Sequence, residues 1–385
     1  MGLKCSRRGD VPPFMVMDVM SAAARREATG VNVIHMEVGQ PSSPAPSKVL
    51  SMAHQALDQH ILGYTLALGV PELRSRIARY YADTADLAVD PERVVVTAGS
   101  LGGFLLAFLA AFDHGDRVAI PRPTYPSYRN MLSALGLEAV WVETAVDNGF
   151  QPTPEDLERI PQPLDGLIIA SPSNPVGSVI PPQDLQRLVA YCEARGIRVI
   201  SDEIYHGISY GVPTVPAIRY SDHVMSLNSF SKYFSMTGWR LGWMIVPETL
   251  IRQIERLAQN FFICPSAPAQ YAAIAAFDCT EELNAHVAMY AHNRQQLLAG
   301  LPKLGFERIA PAHGAFYLYA DISHLTDDSA EFAARMLAEA GVAVTPGLDF
   351  DPLHGHRYVR FSYARCTADI EEALQRLQRW LLGSA

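Results

Sequence analysis

One lysine lies in a stretch whose residue types could support covalent chemistry. The stretch reads Asn228-Ser-Phe-Ser-Lys-Tyr-Phe-Ser-Met-Thr-Gly-Trp-Arg-Leu-Gly-Trp243, which surrounds Lys232 with hydroxyl, glycine and aromatic residues. The sequence has only four lysines, and Lys232 has no carboxylate within several positions that would pair with it on the surface. A lysine held in a partly apolar setting can present a neutral, nucleophilic amine. The alternative is an ordinary loop lysine whose ammonium group reaches water.

Three other polar clusters resemble the Lys232 cluster in following a short apolar run that is typical of a strand. Parallel sheets bind ligands at the carboxyl ends of their strands, so the loops that leave those ends converge on one cleft. We therefore expect the four clusters to share a cleft. They are Gly99-Ser100, Ser173-Asn174-Pro175, Asp202-Glu203-Ile204-Tyr205 and Ser229 to Lys232.

The turn Gly99-Ser100-Leu101 follows one strand and opens an apolar helix that ends at Phe112. Backbone N–H groups and the positive end of the helix dipole meet at such a turn, which suits a phosphate or a carboxylate. Charge-assisted hydrogen bonds from nearby loops could complete a phosphate cup. The side chains available for this are Ser229, Ser231 and Arg240.

Asp202 ends an apolar strand, so we expect its carboxylate at the bottom of the cleft. A buried carboxylate needs a partner, and a cationic ring nitrogen would keep it ionised. The alternative is a carboxylate that caps the next helix. Tyr205 and Asn174 can each donate to an anionic oxygen, and Tyr125 offers an aromatic face for stacking or for plain packing beside its prolines.

Together these groups match pyridoxal 5′-phosphate. In this interpretation Lys232 forms a Schiff base with the cofactor, whose ring withdraws electrons once Asp202 keeps its nitrogen protonated. The segment Val31 to Val38 alternates between apolar and polar residues, which predicts a strand, and Gly39 follows it at a turn where backbone could approach a ligand. The alternative for Gly39 is a simple turn.

The elements that must position these residues indicate an α/β fold. From Pro46 onward short Val/Ile-rich runs alternate with amphipathic helices, which predicts a large domain with a mostly parallel seven-stranded sheet between helices. A helix is predicted from Ser266 to about Ala291. After Leu304 the pattern changes and predicts a smaller α+β domain. The predicted strands of the large sheet are Arg93 to Thr97, Arg117 to Pro121, Ala139 to Glu143, Gly166 to Ser171, Arg198 to Asp202, Val224 to Ser229 and Gly242 to Val246.

These motifs resemble the class I/II aminotransferases of the type I pyridoxal-phosphate fold, the aspartate aminotransferase superfamily. The resemblance extends from Val31 to Trp380 and is most specific in Ser229-x-Ser231-Lys232 followed by Gly238-x-Arg240-x-Gly242. Ser173-Asn174-Pro175-x-Gly177 and Asp202-x-x-Tyr205 support it. It implies an arm and part of the small domain in residues 1–45, a large cofactor domain in 46–285 and a small domain in 286–385.

The resemblance also implies residue roles. Lys232 would hold the cofactor and move the substrate proton, with Asp202 and Tyr205 as the other catalytic residues. Gly39, Asn174 and Arg360 would bind substrate, Arg360 by gripping its α-carboxylate. Tyr64 would reach the phosphate of a partner subunit, which implies a homodimer with shared active sites. The residues implied to bind the cofactor are Gly99, Ser100, Leu101, Tyr125, Asn174, Asp202, Tyr205, Ser229, Ser231, Lys232, Arg240 and Tyr64.

Composition limits the partners. The net charge is −9 and the pI is near 5.7, which argues against nucleic acid or an anionic membrane surface as a partner. Five scattered cysteines without C-x-x-C spacing indicate neither a disulfide framework nor a metal site, and they suit a reducing cytoplasm. The partners expected are an amino acid and a 2-oxo acid.

We therefore predict a pyridoxal-phosphate-dependent aminotransferase that works in two half-reactions. No position matches the second arginine that binds a side-chain carboxylate in dicarboxylate-specific relatives, so we expect a neutral or aromatic L-amino acid. One alternative is a C–S β-lyase of the same fold, because both reactions begin when Lys232 removes the α-proton. A remote alternative is a cofactor-binding regulator, although the chain lacks spare residues for a DNA-binding domain.

Overall fold

The computed structural model describes residues 3–383. Its β structure follows the apolar runs of the sequence, and the larger strands lie within one or two residues of the predicted ranges. The strands are β1 (Ile34–His35), β2 (Val94–Thr97), β3 (Arg117–Arg122), β4 (Glu138–Glu143), β5 (Gly166–Ala170), β6 (Arg198–Asp202), β7 (Met225–Ser229), β8 (Gly242–Ile245), β9 (Arg308–Ile309), β10 (Tyr317–Asp321), β11 (Val342–Ala343), β12 (Thr345–Pro346) and β13 (Tyr358–Ser362).

The helices alternate with these strands, and several begin with a proline, which is pre-organised for the first helical turn. Short 3₁₀ turns connect some of them. The α-helices are α1 (Met15–Glu27), α2 (Ser47–Gln59), α3 (Pro71–Ala85), α4 (Gly99–Ala111), α5 (Pro126–Leu135), α6 (Pro154–Glu158), α7 (Pro182–Ala194), α8 (Glu248–Phe261), α9 (Ala267–Ile274), α10 (Thr280–Gly300), α11 (Ser329–Arg335) and α12 (Thr367–Leu382).

The largest sheet has seven strands in the order β2-β8-β7-β6-β5-β3-β4. Strand β8 runs antiparallel to both neighbours, and the other pairs are parallel. The predicted mostly parallel seven-stranded sheet is therefore confirmed. Because β5, β6 and β7 point the same way, the loops after Ala170, Asp202 and Ser229 leave the same edge of the sheet.

Helices cover both faces of this sheet. Val94 and Val96 of β2 point into a core with α3, α7 and α9, whereas Val95 between them points into a second core with α4, α5 and α8. Alternation along a strand places successive side chains on opposite faces, so runs such as Leu167-Ile168-Ile169 serve both cores at once. This explains why the strands read as continuous apolar runs.

A second β structure lies on the C-terminal side of the chain. Strands β12, β13, β10 and β9 form an antiparallel sheet, and β1 pairs in parallel with β11. A separate apolar core packs these strands against α10 and α12. The division of the chain at residues 45 and 285 stays a prediction. The terminal residues of the predicted arm and small domain, 1–2 and 384–385, lie outside the described part.

Two sequence predictions were wrong in extent. The predicted strand Val31 to Val38 reduces to β1, because only Ile34 and His35 pair in register with β11, while the Asn32 carbonyl accepts from the Arg376 side chain. The helix predicted from Ser266 to about Ala291 is broken by a 3₁₀ turn over Ala275–Asp278, and α10 begins after Cys279. Asp, Cys and Thr are weak helix formers in a helix interior, which is consistent with a break there.

Within residues 3–383, no helix combines the length and apolarity needed to cross a bilayer.

Candidate active site

A cavity of about 580 Å³ opens where the strand ends of the large sheet meet the second sheet and the N-terminal helix. It brings together loops that are far apart in sequence, as expected for loops that leave the carboxyl ends of parallel strands. The predicted site residues that line it are Gly39, Ser100, Leu101, Tyr125, Asn174, Asp202, Tyr205, Ser231, Lys232, Arg240 and Arg360. Three others, Gly99, Ser229 and Tyr64, lie outside its lining.

Lys232 projects from the loop between β7 and β8 into this cavity. Its Nζ donates a hydrogen bond to the backbone oxygen of Gly39 across 2.6 Å. Burial lowers the pKa of Lys232 to about 8, and the positive charge of Arg360 adds to that effect while Asp202 opposes it. A neutral amine is therefore far more accessible than for a solvated lysine. The geometry contradicts the alternative of a loop lysine that reaches bulk water.

Asp202 is the last residue of β6 and is 3% exposed. Its Oδ1 accepts from the Ile204 N–H at 3.1 Å, and its Oδ2 accepts from the Tyr128 hydroxyl. Burial raises the pKa of Asp202 to about 6, against the lowering effect of these hydrogen bonds. A cationic partner in the cavity would stabilise its ionised form. The bond to Ile204 closes a turn, and no α-helix in the described residues begins between β6 and β7, so Asp202 caps no α-helix.

Tyr128 lines the cavity as well, although it was not predicted as a site residue. It lies in the first turn of α5, three residues after Tyr125, and both rings line the cavity. The two ring centroids are 5.4 Å apart in an edge-to-face arrangement. The available signal was this i, i+3 spacing directly after a strand, which places two tyrosines on one face of a helix.

Arg360 lies on β13 with its guanidinium held on several sides. Nη1 donates to Asn174 Oδ1 at 2.8 Å, and Nη2 donates to Thr345 Oγ1 at 3.2 Å and to the Glu37 carbonyl. Its guanidinium carbon lies 4.3 Å from the centroid of the Tyr317 ring. The buried Nε has no hydrogen-bond partner among the described residues, so the side chain retains an unused donor for an anion.

Tyr205 and Tyr317 meet inside the cavity. Their hydroxyl oxygens are 2.7 Å apart, and both side chains are buried. Burial raises the pKa of each phenol, so both are neutral donors at physiological pH. Tyr317 also lines the cavity without having been predicted as a site residue; it lies in the segment from Gly314 to Ala320, within the predicted small domain. Its position on one face of β10 depends on a pairing with β13 that the sequence does not specify.

The Gly99 turn has the geometry of an anion cradle. Gly99 begins α4 with a φ of +71°, and a Cβ atom added there would lie 2.5 Å from Arg240 Nη2. Glycine therefore lets the Arg240 guanidinium approach the N-terminus of α4. Ser229 is the buried last residue of β7, and its Oγ accepts from the Ser231 N–H at 3.0 Å.

Tyr64 has no part in the cavity of its own chain. Its side chain is 83% exposed in the segment between α2 and α3.

Among residues 3–383, no three His, Cys, Asp or Glu side chains lie close enough together to hold a metal ion.

The chemistry of these donors fits pyridoxal phosphate. The cavity offers an amine with a lowered pKa at Lys232 and a buried carboxylate at Asp202, and an anion cradle lies beside it between Gly99 and Arg240. It also offers Arg360, with an unused donor, for a substrate carboxylate. An amine, a carboxylate and a phosphate cradle around one cavity are what this cofactor needs to react with amino acids.

Known proteins agree with this interpretation. A chain from Mycobacterium tuberculosis named valine–pyruvate aminotransferase is 50% identical over 378 residues, 97% of each chain. A crystal structure of an aminotransferase from Mycobacterium tuberculosis superposes with a TM-score of 0.98 at 49% identity, covering 100% of both chains. Aspartate aminotransferase from Thermus thermophilus with maleate matches with a TM-score of 0.92 at 33% identity, covering 98% of this chain and 100% of that one.

The sequence also matches the family "aminotransferase class I and II" over residues 31–377. Proteins of this family with the aspartate aminotransferase fold use pyridoxal 5′-phosphate to transfer amino groups between amino acids and 2-oxo acids. The match spans most of the chain and includes every residue that lines the cavity around Lys232 except Phe14, Val16 and Met17 of the N-terminal segment. This chain is therefore a member of the class I and II aminotransferases.

Proposed function

We propose that this aminotransferase transfers the amino group of a neutral, apolar L-amino acid to a small 2-oxo acid such as pyruvate. The observation that supports this most directly is the distribution of charge and apolar surface in the cavity. Among the described residues that line it, the positively charged side chains are Lys232, Arg240 and Arg360. Lys232 and Arg240 are assigned to the cofactor, which leaves Arg360 for one substrate carboxylate.

Arg360 would bind the α-carboxylate of the amino acid. Its hydrogen bonds to Asn174 and Thr345 fix the plane of the guanidinium, and its Nε keeps a free donor. A planar guanidinium matches a carboxylate with paired hydrogen bonds, which a lysine ammonium cannot reproduce. Because Arg360 is buried, little water competes for those donors.

The substrate side chain would pack against an apolar wall. Phe14, Val16, Met17 and Val38 contribute to the lining of the cavity. Burying a branched aliphatic side chain there stabilises the complex by about 1.5–3 kcal/mol. A side-chain carboxylate would lose its hydration on the same wall without gaining a cationic partner from this chain's lining. The relative named valine–pyruvate aminotransferase supports the same substrate class.

The cofactor would be held by the groups that fit it. Arg240, Ser100 and the Gly99 turn would bind the phosphate, Tyr125 would stack on the ring, and Asp202 would hold the ring nitrogen in its protonated form. When bound, pyridoxal phosphate supplies an electron sink for the pair left by the broken Cα–H bond.

The protein's own groups would then move the proton. Lys232 Nζ would take the α-proton and return it to the carbon on the other side of the transferred nitrogen, because its lowered pKa makes the neutral amine available. Tyr205 would donate its phenol hydrogen to the ring oxygen, and Asn174 would donate from Nδ2, since its Oδ1 is already engaged by Arg360. The enclosing rings of Tyr125, Tyr128 and Phe14 would exclude water.

We also propose a homodimer with shared active sites. The segment around Tyr64 packs beside the end of α8, where Cys264 Sγ accepts from the Thr65 N–H at 3.4 Å. Exposed apolar side chains are concentrated there, and a patch of this kind is typical of an interface. They are Leu57, Ile61, Tyr64, Leu66, Phe261 and Ile263.

We also propose a cytoplasmic location. Cysteines that remain free thiols, such as the buried Cys192 and Cys279, are typical of proteins in a reducing compartment.

A substrate panel tests the proposed reaction. Adding single amino acids to the cofactor-loaded enzyme without a 2-oxo acid should convert the cofactor stoichiometrically to its pyridoxamine form with valine or leucine. Aspartate and glutamate should react far more slowly. Continuous pyruvate release with unchanged visible absorbance would instead identify a β-lyase, and a preference for aspartate would refute the proposed substrate class.

Hybrid dimers test the shared sites. A Lys232→Ala dimer and a Tyr64→Ala dimer should each have little activity, and subunit exchange between them should restore activity, because one site of the hybrid then has both native residues. Failure of mixing to restore activity, with exchange verified by mass spectrometry, would contradict the proposed contribution of Tyr64.

A further inference from the structure

Tyr317 touches three parts of the site at once. Its hydroxyl lies 2.7 Å from that of Tyr205, its ring lies under the Arg360 guanidinium, and its hydroxyl fills the space where a Cβ on Gly39 would lie. Gly39 in turn supplies the carbonyl that accepts from Lys232. The Tyr317 hydroxyl is therefore in contact with groups proposed to bind both cofactor and substrate, although Tyr317 belongs to none of the sequence motifs that predicted the site.

We propose that Tyr317 is a positioning residue that acts through Tyr205, directing the Tyr205 phenol hydrogen toward the ring oxygen of the cofactor. This inference depends on the proposed role of Tyr205. It assigns to the Tyr317 hydroxyl a function in the reaction beyond packing.

The two phenols carry two hydroxyl hydrogens between them. Both phenols are buried and neutral, because burial raises their pKa, so each oxygen carries one hydrogen. One hydrogen fills the 2.7 Å gap between the oxygens, and the other is free to point elsewhere. If Tyr205 donated to Tyr317, it could not also donate into the cavity. Donation from Tyr317 to Tyr205 leaves the Tyr205 hydrogen available.

An anionic oxygen in the cavity selects the second arrangement. Tyr205 would donate to that oxygen and accept from Tyr317, and hydrogen bonds in such a chain strengthen one another by polarisation. Other charged groups act on the pair as well. Arg360 lies over the Tyr317 ring, Asp202 raises and Arg360 lowers the pKa of both phenols, and Lys232 Nζ is 5.8 Å from the Tyr205 ring centroid. These charges stay in place when a single hydroxyl is removed.

Replacement by phenylalanine isolates the hydroxyl. The Tyr317 ring packs edge-to-face against Tyr205 and Phe316, at centroid distances of 5.6 and 5.0 Å, and a phenylalanine keeps these contacts and the surface under Arg360. Tyr319 provides a matched control. It lies two residues further along β10, is equally buried, does not line the cavity, and its hydroxyl has no partner among the described residues.

The experiment is a pH titration of the visible absorbance of the cofactor-loaded enzyme in the absence of substrate. A hydrogen bond from Tyr205 stabilises the anionic ring oxygen, so weakening it should raise the pH midpoint. We expect Tyr317→Phe to raise the midpoint by about half a pH unit, Tyr205→Phe to raise it further, and Tyr319→Phe to leave it unchanged. The double variant Tyr205→Phe/Tyr317→Phe should match Tyr205→Phe alone.

The outcomes separate this inference from the proposed function. If Tyr205→Phe shifts the midpoint but Tyr317→Phe does not, the inference about Tyr317 is wrong and the role of Tyr205 stands. If the two shifts add fully in the double variant, Tyr317 does not act through Tyr205, and the inference is again wrong. An unshifted Tyr205→Phe would refute the proposed role of Tyr205 and the inference with it.

Discussion

Nη1 of Arg360 donates a hydrogen bond to Oδ1 of Asn174 across 2.8 Å. Arg360 lies on β13 and Asn174 in the loop after β5, so the bond links the four-stranded antiparallel sheet to the seven-stranded sheet. The same bond orients the amide of Asn174, whose nitrogen is left to donate into the cavity. In the proposed function Arg360 binds substrate and Asn174 binds cofactor, so this pair of side chains would couple the two binding events.

Replacing Arg360 by lysine should weaken substrate binding. The ammonium keeps the charge but loses the planar donor pair and the contact with the Tyr317 ring. We expect kcat/KM for the amino donor to fall by about 10- to 100-fold, mainly through KM. Steady-state kinetics measures this, with the exposed Arg379→Lys as control. A wild-type KM in Arg360→Lys would show that another group binds the α-carboxylate.

Replacing Lys232 by alanine should stop turnover, but the variant should still bind the cofactor through its phosphate group. Removing a proton-transfer group costs about 10²- to 10⁴-fold in rate, and loss of the covalent link to the cofactor adds to this. Cofactor retention is measured by ultrafiltration and transamination in a coupled assay. Lys303→Ala, at an exposed position, should behave as wild type. Near wild-type transamination by Lys232→Ala would refute the assignment.

The buried carboxylate of Asp202 should make the cofactor-free protein less stable as pH rises. Its pKa of about 6 lies above the ordinary 3.8, so the folded state keeps a proton that the unfolded state loses between about pH 4 and pH 6. Stability is therefore lost as pH rises through this window, by about 2–3 kcal/mol.

The variant Asp202→Asn, which has no proton to lose there, tests this pH dependence. It should be more stable than wild type at pH 7, and the difference should shrink towards pH 4. Urea unfolding of both cofactor-free proteins at several pH values measures it. A constant difference across this range would contradict the prediction.

In the cofactor-loaded enzyme the Asp202→Asn substitution should slow exchange of the substrate α-proton, because a neutral amide no longer keeps the ring nitrogen of the cofactor protonated.

Asp349 should control the apolar wall of the cavity. Its two oxygens accept from the backbone N–H groups of Met15 and Val16, at 3.1 and 3.2 Å, at the start of α1. Loss of a helix cap costs about 1–2 kcal/mol, and here it would also loosen the residues that line the substrate pocket. Asp349→Ala should therefore raise KM for valine more than for alanine.

A second capping aspartate serves as the control for this effect. Asp328 caps α11 through the N–H groups of Ala330 and Glu331, at 2.9 and 3.0 Å, and does not line the cavity. Asp328→Ala should lower the melting temperature by a similar amount without changing the ratio of the two KM values. An equal change of this ratio in both variants would mean that Asp349 contributes only stability.

The large sheet was predictable because its signal is local. Runs such as Val94 to Thr97 and Gly166 to Ala170 are apolar throughout, as expected for strands covered on both faces, and the structure places them in the seven-stranded sheet. Parallel strands bring their carboxyl ends to one edge, so the shared cavity around Asp202 and Lys232 followed from the order of elements alone. The extent of β1 could not be predicted, since its length depends on β11, some 300 residues away.

The sequence by itself determined the chemical groups of this protein: the lysine, the carboxylate, the glycine turn and the arginines, each in a recognisable local pattern. Only the tertiary structure decided which other side chains meet them. Tyr128 reaches Asp202, Tyr317 reaches Tyr205, and Asp349 holds the start of α1, over sequence separations of 74, 112 and more than 330 residues. Such contacts depend on how separate elements pack, and residue type and spacing along the chain carry no record of that packing.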